Sequence, residues 1–425
     1  MVPGRMPGAR RAESTRCVTE AVRIRAIAAG GDGVGMLEDG RTVFVPRSAP
    51  GDLVELTELR LARRFARARI ARVLEAGPER IPAGCRHYSA DDCGSCQLQH
   101  LSSAAQRSAR RRLVGDALRR IGHLEMEDPP LEPSETEWEY RTKLTLAARG
   151  GRIGYHKLGQ PGRVFELERC PIARPELNAL WTALRAERRL FPAELEQVVL
   201  RVDREGVRHA ILRTGPGNAW TRARELGAAL DRAGVSAVLW WQPAEGAPRT
   251  VYGATAAYPV MVFEQVHPVM GDRARAYALA ALGDLHGRHA WDLYAGIGET
   301  TRALVAAGAS VESVEADPRA VQVAEARGPA AGVTRIASRV ERVLERLRPA
   351  DVIVANPPRT GLGPAVNEGL CARPAARLVY LSCDPATLAR DLSRLELTYR
   401  VDTARSFDLF PQTAHVETVV RLERR

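Results

Sequence analysis

This 425-residue chain has very little lysine and no long apolar run. Lys143 and Lys157 are the only lysines, so arginine supplies nearly all of the positive charge behind a net charge of +11. The lack of any run of about 18 apolar residues excludes a hydrophobic transmembrane helix, and the N-terminal segment has no continuous apolar stretch of the secretory type. We therefore expect a cytoplasmic protein that has no membrane partner.

Cysteine is too scarce and too unevenly spread for a disulfide framework. The seven cysteines are odd in number, and disulfides are rare in a reducing compartment. Cys85, Cys93 and Cys96 lie close together, and Cys170 follows at a distance. Four thiolates in this arrangement suit zinc or an iron–sulfur cluster, and ligand type alone does not decide between the two. The sequence therefore predicts a four-cysteine metal site.

The length predicts two or three domains. Residues 1–16 are rich in Gly, Pro and Arg without periodicity, so we expect a disordered basic tail. Short alternating runs separated by Gly and Pro turns predict a small OB-like β-barrel over residues 17–76. A mixed α/β central domain with the metal site is expected over residues 77–250. Strands then alternate with helices, which predicts a Rossmann-like α/β domain with a parallel sheet over residues 251–425.

Arginine is concentrated in two clusters, at residues 60–72 and 107–120. Together with the net charge, these clusters favour a polyanionic partner because arginine neutralises phosphates. A solvated helix face carries similar runs of charge. The clusters are thus candidates for a nucleic-acid surface.

Four predicted strands of the last domain end on residues that can carry chemistry. The first runs from Ala290 through Tyr294 into a glycine-containing turn, and the second ends on Glu315, which can accept hydrogen bonds from ribose hydroxyls. Only two glycines occur in the turn, which favours S-adenosylmethionine over a dinucleotide. A third strand ends on Asn356, at the edge where ligands bind in open α/β sheets.

The fourth of these strands ends next to Cys383, the strongest candidate nucleophile. Pro385 suits a first helical position, so Cys383 is expected just before a helix N-terminus, where unpaired N–H groups favour the thiolate. Unbonded cysteine is commonly a small buried hydrophobe, so the segment alone does not settle the role. A carboxylate, Glu417, stands at the start of the last predicted strand.

Seven motifs occur together along the chain. They are Cys93-x-x-Cys96-Gln-x-Gln-His100, Phe263-Glu264-Gln265-Val266, Asp292-Leu293-Tyr294-x-Gly296-x-Gly298, Val314-Glu315, Pro357-Pro358-Arg359-x-Gly361, Ser382-Cys383-x-Pro385-Ala386-Thr387-Leu388-Ala389-Arg390-Asp391 and Phe410-Pro411-x-Thr413-x-His415-x-Glu417. With them the chain resembles an RNA uracil-5-methyltransferase, of the 23S ribosomal RNA branch. That branch has an RNA-binding TRAM domain, which the predicted barrel resembles, and a four-cysteine [4Fe–4S] site.

The resemblance implies a Rossmann-like S-adenosylmethionine methyltransferase domain and a role for each motif. Cys383 would add to carbon 6 of uracil, so that carbon 5 can attack the methyl group, and Glu417 would remove the proton from carbon 5. The implied cofactor-binding residues are Gln265, Tyr294, Gly296, Gly298, Glu299, Glu315 and Asn356. The implied ligands of the [4Fe–4S] cluster are Cys85, Cys93, Cys96 and Cys170.

Several positions depart from the family's pattern, and these departures surround the cofactor and base pocket. His267 and Glu299 each replace an asparagine, Asn356 replaces an aspartate, Ala295 replaces a cysteine, and Arg339 stands where a loop asparagine is usual. These changes bear on affinity and substrate choice more than on reaction type.

Three alternatives remain open. The same class of enzyme could act on transfer RNA, although the TRAM domain and metal site favour ribosomal RNA. A non-catalytic RNA-binding protein with a decayed methyltransferase domain is the second, and the presence of both Cys383 and Glu417 argues against it. An adenine methyltransferase is the third, but Arg359 stands where an aromatic residue is needed to stack the base. We expect a monomer.

Overall fold

The protein is described from a computed structural model. The described residues are 15–16, 20–217, 219–254, 262–328 and 331–425. The backbone divides into two compact units, the first made of residues 1–83 with 97–109 and the second of residues 84–96 with 110–425. Within the described ranges, no helix is long and apolar enough to cross a membrane. Most of the predicted tail lies outside the described residues.

The first unit is built on a seven-stranded sheet. Its strands are β1 (Thr15–Arg16), β2 (Ala21–Arg23), β3 (Ala26–Ile27), β4 (Gly33–Met36), β5 (Thr42–Val45), β6 (Leu53–Leu61) and β7 (Phe65–Glu75). They are ordered β1-β6-β7-β5-β4-β3, with β2 also paired to β6, and only β5 and β7 pair in parallel. Alternate residues such as Val43, Val54 and Leu56 fill its core. The last two residues of the predicted tail form β1, which pairs with β6.

The second unit begins with two helices and a six-stranded sheet. Its elements up to residue 252 are α1 (Arg86–Ala90), α2 (Ser103–Arg120, which begins in the first unit), β8 (Leu131–Glu132), β9 (Lys143–Arg149), β10 (Arg152–Gly154), β11 (His156–Lys157), β12 (Gln160–Val164), α3 (Pro175–Ala186), β13 (Leu195–Val202), β14 (Arg208–Thr214), α4 (Ala223–Arg232), β15 (Val238–Gln242) and β16 (Arg249–Tyr252). The sheet has the order β10-β9-β13-β14-β15-β16, and α3 and α4 pack against it. Strands β11 and β12 form a separate hairpin.

The rest of the second unit forms, together with β8, an eight-stranded sheet with helices on both faces. Its elements are α5 (Pro268–Leu282), β17 (His289–Leu293), α6 (Glu299–Ala306), β18 (Ser310–Glu315), α7 (Pro318–Ala326), β19 (Val333–Ala337), β20 (Val352–Ala355), α8 (Pro364–Ala372), β21 (Arg377–Ser382), α9 (Pro385–Leu395), β22 (Tyr399–Phe407) and β23 (Glu417–Arg424). The order is β19-β18-β17-β20-β21-β23-β22-β8. The predicted parallel sheet is confirmed for the first five strands, whereas β23 runs antiparallel to β21.

Burial on both faces explains why the central strand β20 is apolar throughout. Along β21, Leu378 and Tyr380 point into a core shared with α2, α8 and α9. Val379 and Leu381 point into a second core shared with α5 and α6. The chemistry-bearing residues must therefore lie at the strand ends, where the two layers of helices leave the sheet edge accessible.

Candidate active site

Four of the predicted site residues meet at the carboxyl edge of the large sheet. β17 pairs in parallel with both β18 and β20, and β20 pairs in parallel with β21. Glu315 is the last residue of β18, while Tyr294, Asn356 and Cys383 directly follow the other three strands. The Asn356 backbone N–H donates to the carbonyl of Leu293 at 3.2 Å, which fixes the end of β20 beside the end of β17.

The turn between β17 and α6 is held in an unusual backbone conformation. Tyr294, Gly296 and Gly298 have φ angles of +63°, +56° and +73°. The left-handed region suits the glycines, but for a tyrosine it costs about 1–3 kcal/mol and persists only where the surroundings enforce it. The Gly296 N–H donates to the Glu315 carboxylate at 2.8 Å, which supplies part of that constraint. Such strain is typical of a ligand-binding turn.

Glu315 is held by backbone groups on both of its oxygens. One oxygen accepts from the N–H of Gly296 and the other from the N–H of Asp317, each at 2.8 Å. A carboxylate has about four lone-pair sites. Glu315 therefore keeps acceptor capacity for the ribose hydroxyls that the sequence assigns to it.

Two other predicted cofactor-binding residues lie at the starts of helices α6 and α5. Glu299 opens α6, and its carboxylate pairs with Arg275 and, at 2.9 Å, with Arg204. Gln265 precedes α5 and packs closely on Gly271, where an added Cβ would come within 3.0 Å of the Gln265 side chain. Glu299 thus forms ion pairs with two arginines. The asparagine that is usual in the family at this position has no charge and could not form them.

Cys383 lies between β21 and α9, with Pro385 at the first helical turn as predicted. Burial raises the pKa of the Cys383 thiol, and so does the nearby Glu417 carboxyl, whereas the charge of Arg359 and its hydrogen bond to the thiol lower it. The Asp384 carboxylate caps α9 by accepting from the Thr387 N–H at 2.9 Å. The prediction that the helix N-terminus favours the thiolate is therefore wrong, because burial dominates and Asp384 takes up the cap.

Strand register brings Glu417 next to Cys383. Ser382 of β21 pairs with Thr418 of the antiparallel β23, so the residues that flank this pair on the same side are Cys383 and Glu417. Glu417 is only 2% exposed. Burial raises the pKa of its carboxyl to about 8, and the charge of Arg359 opposes that rise. The site thus contains a thiol, a buried carboxyl and a guanidinium whose charge lowers the pKa of both.

The sequence motifs include Arg359 but give it no role in the site. The loop that carries Arg359 is attached to α9 through Asp391, which is fully buried. One Asp391 oxygen accepts from the Leu362 N–H at 2.7 Å and from the Tyr380 hydroxyl at 2.9 Å. The Thr387 hydroxyl donates to the Arg359 carbonyl at 3.1 Å. The sequence signals for Arg359 are its place in a motif and its position four residues after the end of β20.

The four cysteines of the predicted cluster, Cys85, Cys93, Cys96 and Cys170, are all buried. None of the six cysteines in the described residues forms a disulfide. Burial raises the pKa of the Cys170 thiol to about 12, with smaller contributions from the thiols of Cys93 and Cys85, while Arg141 lowers it. Buried sulfur donors are the chemistry that an iron–sulfur cluster needs. Within the described chain, however, no group of three or more His, Cys, Asp or Glu side chains is arranged to hold a metal ion, and the cluster stays a prediction.

The parallel sheet, the turn with positive φ angles and the acid at the end of the second strand agree with the S-adenosylmethionine-dependent methyltransferase domain that the sequence predicts. Residues 323–425 match the family model of the tRNA (uracil-5-)-methyltransferases. An uncharacterized RNA methyltransferase of Thermosynechococcus vestitus is 31% identical over 95% of this chain and 98% of its own length. The chain belongs to the RNA uracil-5-methyltransferase family, which confirms the prediction from the sequence motifs.

Two further relatives have more specific names. The 23S rRNA (uracil(1939)-C(5))-methyltransferase RlmD of Halomonas elongata is 32% identical over 94% of this chain and 88% of its own length. The crystal structure of the Pyrococcus abyssi tRNA (uracil-54, C5)-methyltransferase in complex with S-adenosyl-L-homocysteine has a TM-score of 0.71 at 20% identity. It covers 95% of this chain and 100% of its own, so the two proteins share their fold.

Proposed function

We propose that this protein methylates carbon 5 of a specific uridine in 23S ribosomal RNA through a covalent cysteine adduct. The observation that carries the proposal is the strand register that puts Cys383 beside the buried Glu417. Carbon 5 of uracil is a poor nucleophile, so the ring needs an added nucleophile at carbon 6 before carbon 5 can attack a methyl group. The reaction also needs a base beside the adduct, because the proton on carbon 5 must leave.

The steps follow from the two side chains. The Cys383 thiol loses its proton to solvent, and its sulfur bonds to carbon 6 as the electrons of the ring double bond move to an enolate. When bound, S-adenosylmethionine supplies the methyl group that carbon 5 takes up. Glu417 then accepts the proton from carbon 5, the double bond re-forms, and the bond between carbon 6 and sulfur breaks. Cys383 leaves as a thiolate, and Arg359 offsets its charge.

Ribosomal RNA is the favoured substrate because of the likeness to the Halomonas elongata enzyme over nearly the whole chain. We assign the sheet of the first unit to a TRAM domain, residues 17–76, followed by the central domain at 77–250 and the methyltransferase domain at 251–425. The arginines of the first cluster that could contact phosphates are exposed, namely Arg60, Arg63, Arg64, Arg67 and Arg72. Since the substrate is RNA, we expect the enzyme to act in the cytoplasm.

Mapping of 5-methyluridine by mass spectrometry in cells with and without the gene tests the substrate. Loss of methylation at one position of 23S ribosomal RNA is the expected result. Loss confined to transfer RNA would assign the alternative substrate, which the matched family model also names. If both RNAs kept all of their 5-methyluridine, the protein would not be the methyltransferase proposed.

We propose that Cys85, Cys93, Cys96 and Cys170 hold a [4Fe–4S] cluster. When bound, the cluster would connect the 85–96 loop to the segment around Cys170, whose backbone N–H and carbonyl are both hydrogen-bonded by Asn178, at 2.9 and 3.0 Å. Metal binding is coupled to folding, so Cys170→Ser should lose iron and lower the melting temperature.

Anaerobic purification tests this proposal by broad visible absorbance and iron analysis. The Cys371→Ser variant is the matched control, because Cys371 is a half-buried cysteine on α8 whose thiol donates to the Arg394 carbonyl at 3.9 Å. The control should keep its iron and its colour. Stoichiometric zinc without iron in the wild-type protein would contradict the proposal.

Asn356 is proposed to favour uracil over cytosine in the base pocket. Its amide can accept a hydrogen bond from the ring N–H of uracil and donate one to the adjacent carbonyl. A carboxylate can only accept from the N–H. One such hydrogen-bonded pair discriminates by about 1–3 kcal/mol. We expect Asn356→Asp to retain uridine methylation within about tenfold, equivalent to about 1.4 kcal/mol, and to methylate cytosine still less.

The measurement is the ratio of 5-methyluridine to 5-methylcytidine formed in the same RNA. Wild-type enzyme should give 5-methyluridine as the dominant product. An enzyme that makes chiefly 5-methylcytidine, or an aspartate variant that is inactive on uridine, would overturn this role for Asn356.

A further inference from the structure

The segment that leads into Glu417 is buried and strained. It joins β22 to β23 and comprises residues 408–416, here named the base loop. Gln412, near its middle, is 3% exposed and has a φ of +70°. A residue other than glycine rarely adopts this left-handed conformation, and it persists where surrounding contacts enforce it. The contacts around Gln412 therefore need an explanation.

Arg110 supplies contacts on both sides of Gln412. It projects from α2 and is 1% exposed. Its guanidinium donates to the Asp408 carboxylate at 2.9 Å, to the Phe410 carbonyl at 3.2 Å and to the Thr413 carbonyl at 3.2 Å. The second arginine cluster of the sequence includes Arg110 as a candidate for phosphate binding, but its burial shows that it serves the protein interior instead.

Tyr140 supplies a contact between those of Arg110. Its hydroxyl donates to the Pro411 carbonyl at 3.0 Å, and the side chain is buried. The Tyr140 ring stacks on His267 with the ring centres 4.9 Å apart, and His267 is hydrogen-bonded in turn to the Ser134 hydroxyl at 2.8 Å. The stacking on His267 thus fixes the direction in which the Tyr140 hydroxyl points towards the base loop.

We propose that Arg110 and Tyr140 are positioning residues that clamp the base loop and thereby aim the Glu417 carboxylate at carbon 5 of the bound uracil. Together they bind three carbonyls of the loop and one carboxylate. The Thr413 hydroxyl completes the arrangement by donating to the Phe410 carbonyl at 2.8 Å. The loop runs directly into β23, whose first residue is Glu417, so a shift of the loop moves the base. This inference rests on the proposed role of Glu417.

A positioning role and a merely structural role of Arg110 and Tyr140 predict effects on different steps of the reaction. Cys383 is carried by β21 and α9, which the clamp does not contact through these hydrogen bonds. Loosening the base loop should therefore slow removal of the carbon 5 proton and spare the addition of Cys383. Partial unfolding would instead lower both rates by the same factor.

Two variants test the clamp in the full-length enzyme. Tyr140→Phe removes one hydroxyl and keeps the stacked ring. The double variant Arg110→Met with Asp408→Asn removes both partners of the buried ion pair, so that no buried charge is left alone.

RNA that contains 5-fluorouridine reports adduct formation, and single-turnover reactions on uridine RNA report product release. Each variant should release product at least about tenfold more slowly, form the adduct within about threefold of wild type, and accumulate adduct on uridine RNA.

Matched controls use a tyrosine and an arginine with similar contacts elsewhere. Tyr399 is buried, and its hydroxyl accepts from the Ala375 N–H at 3.0 Å. Arg373 donates to the carbonyls of Leu344 and Leu347. Tyr399→Phe and Arg373→Met should leave the ratio of the two rates at its wild-type value.

Two failures can be told apart. Equal losses of adduct formation and product release in the clamp variants, which leave the ratio of the two rates unchanged as in the controls, would overturn the positioning role. A wild-type enzyme that methylates uridine RNA without forming any adduct on 5-fluorouridine RNA would overturn the proposed function itself.

Discussion

Replacement of Cys383 by alanine should abolish both methyl transfer and the adduct with 5-fluorouridine RNA. Without the sulfur, carbon 6 has no nucleophile, and carbon 5 keeps its low reactivity towards a methyl donor. We expect the rate to fall by at least about a thousandfold, the order of loss that follows removal of a catalytic nucleophile in other enzymes. Transfer of a labelled methyl group and a denaturing gel of the RNA complex measure the two effects.

The matched control for this experiment is Cys371→Ala, because Cys371 is half-buried like Cys383 but lies on α8. The control should methylate RNA and form the adduct at wild-type rates. Fluorine on carbon 5 cannot be removed as a proton, so the wild-type adduct should persist through denaturation. Undiminished methylation by Cys383→Ala would contradict the covalent route.

The ends of the parallel strands could be predicted because their signals are local. The apolar run at 377–381 and the proline at 385 predict a strand, a turn and a helix, and β21 and α9 follow that pattern closely. The same holds for the turn that leads from β17 to α6. Each of these signals lies within about ten residues of the element that it predicts, so it needs no knowledge of the rest of the fold.

The partners of Cys383 could not be predicted from such signals. Glu417 reaches Cys383 only because β23 joins the sheet antiparallel to β21, and the register of this pair is set by packing across distant parts of the chain. The helix N-terminus alone predicts a lowered pKa for the Cys383 thiol. Burial and Glu417 reverse that direction, and both depend on the completed fold.

The burial of Arg110 could not be predicted from the local charge pattern either. In the sequence it belongs to a run of exposed-looking arginines on a predicted helix, which is the pattern of a phosphate-binding face. Its carboxylate partner, Asp408, lies 298 residues further along the chain. A local charge pattern gives no sign of a partner at that distance.

Glu417→Gln should convert the enzyme into one that forms the adduct but releases it slowly. The amide keeps the size and the hydrogen-bonding capacity of the carboxyl but cannot accept the proton from carbon 5. Loss of a general base slows its step by about 10²–10⁴-fold. Adduct should therefore accumulate on ordinary uridine RNA, visible on a denaturing gel, while wild-type enzyme shows little. Release at the wild-type rate would remove Glu417 from this role.

The same substitution should stabilise the protein in a pH-dependent way. Burial raises the pKa of the Glu417 carboxyl from 4.5 to about 8, so between these pH values the folded chain holds a proton that the unfolded chain has lost. The contribution of this group to the free energy of unfolding therefore falls as pH rises from about 4.5 to about 8. Glutamine does not ionise, so Glu417→Gln should melt at a higher temperature than wild type at pH 8. The difference should disappear below about pH 4.5.

The pH dependence of the two steps should separate the roles of the two residues. Glu417 must be ionised to act as a base, so product release by wild-type enzyme should rise with pH and level off above about 8. Adduct formation needs the Cys383 thiolate, whose pKa the Glu417 carboxyl helps to raise. In Glu417→Gln that contribution is gone, so adduct formation on 5-fluorouridine RNA should begin at a lower pH than in wild type. An unchanged pH profile of adduct formation would mean that the two side chains do not interact in the working enzyme.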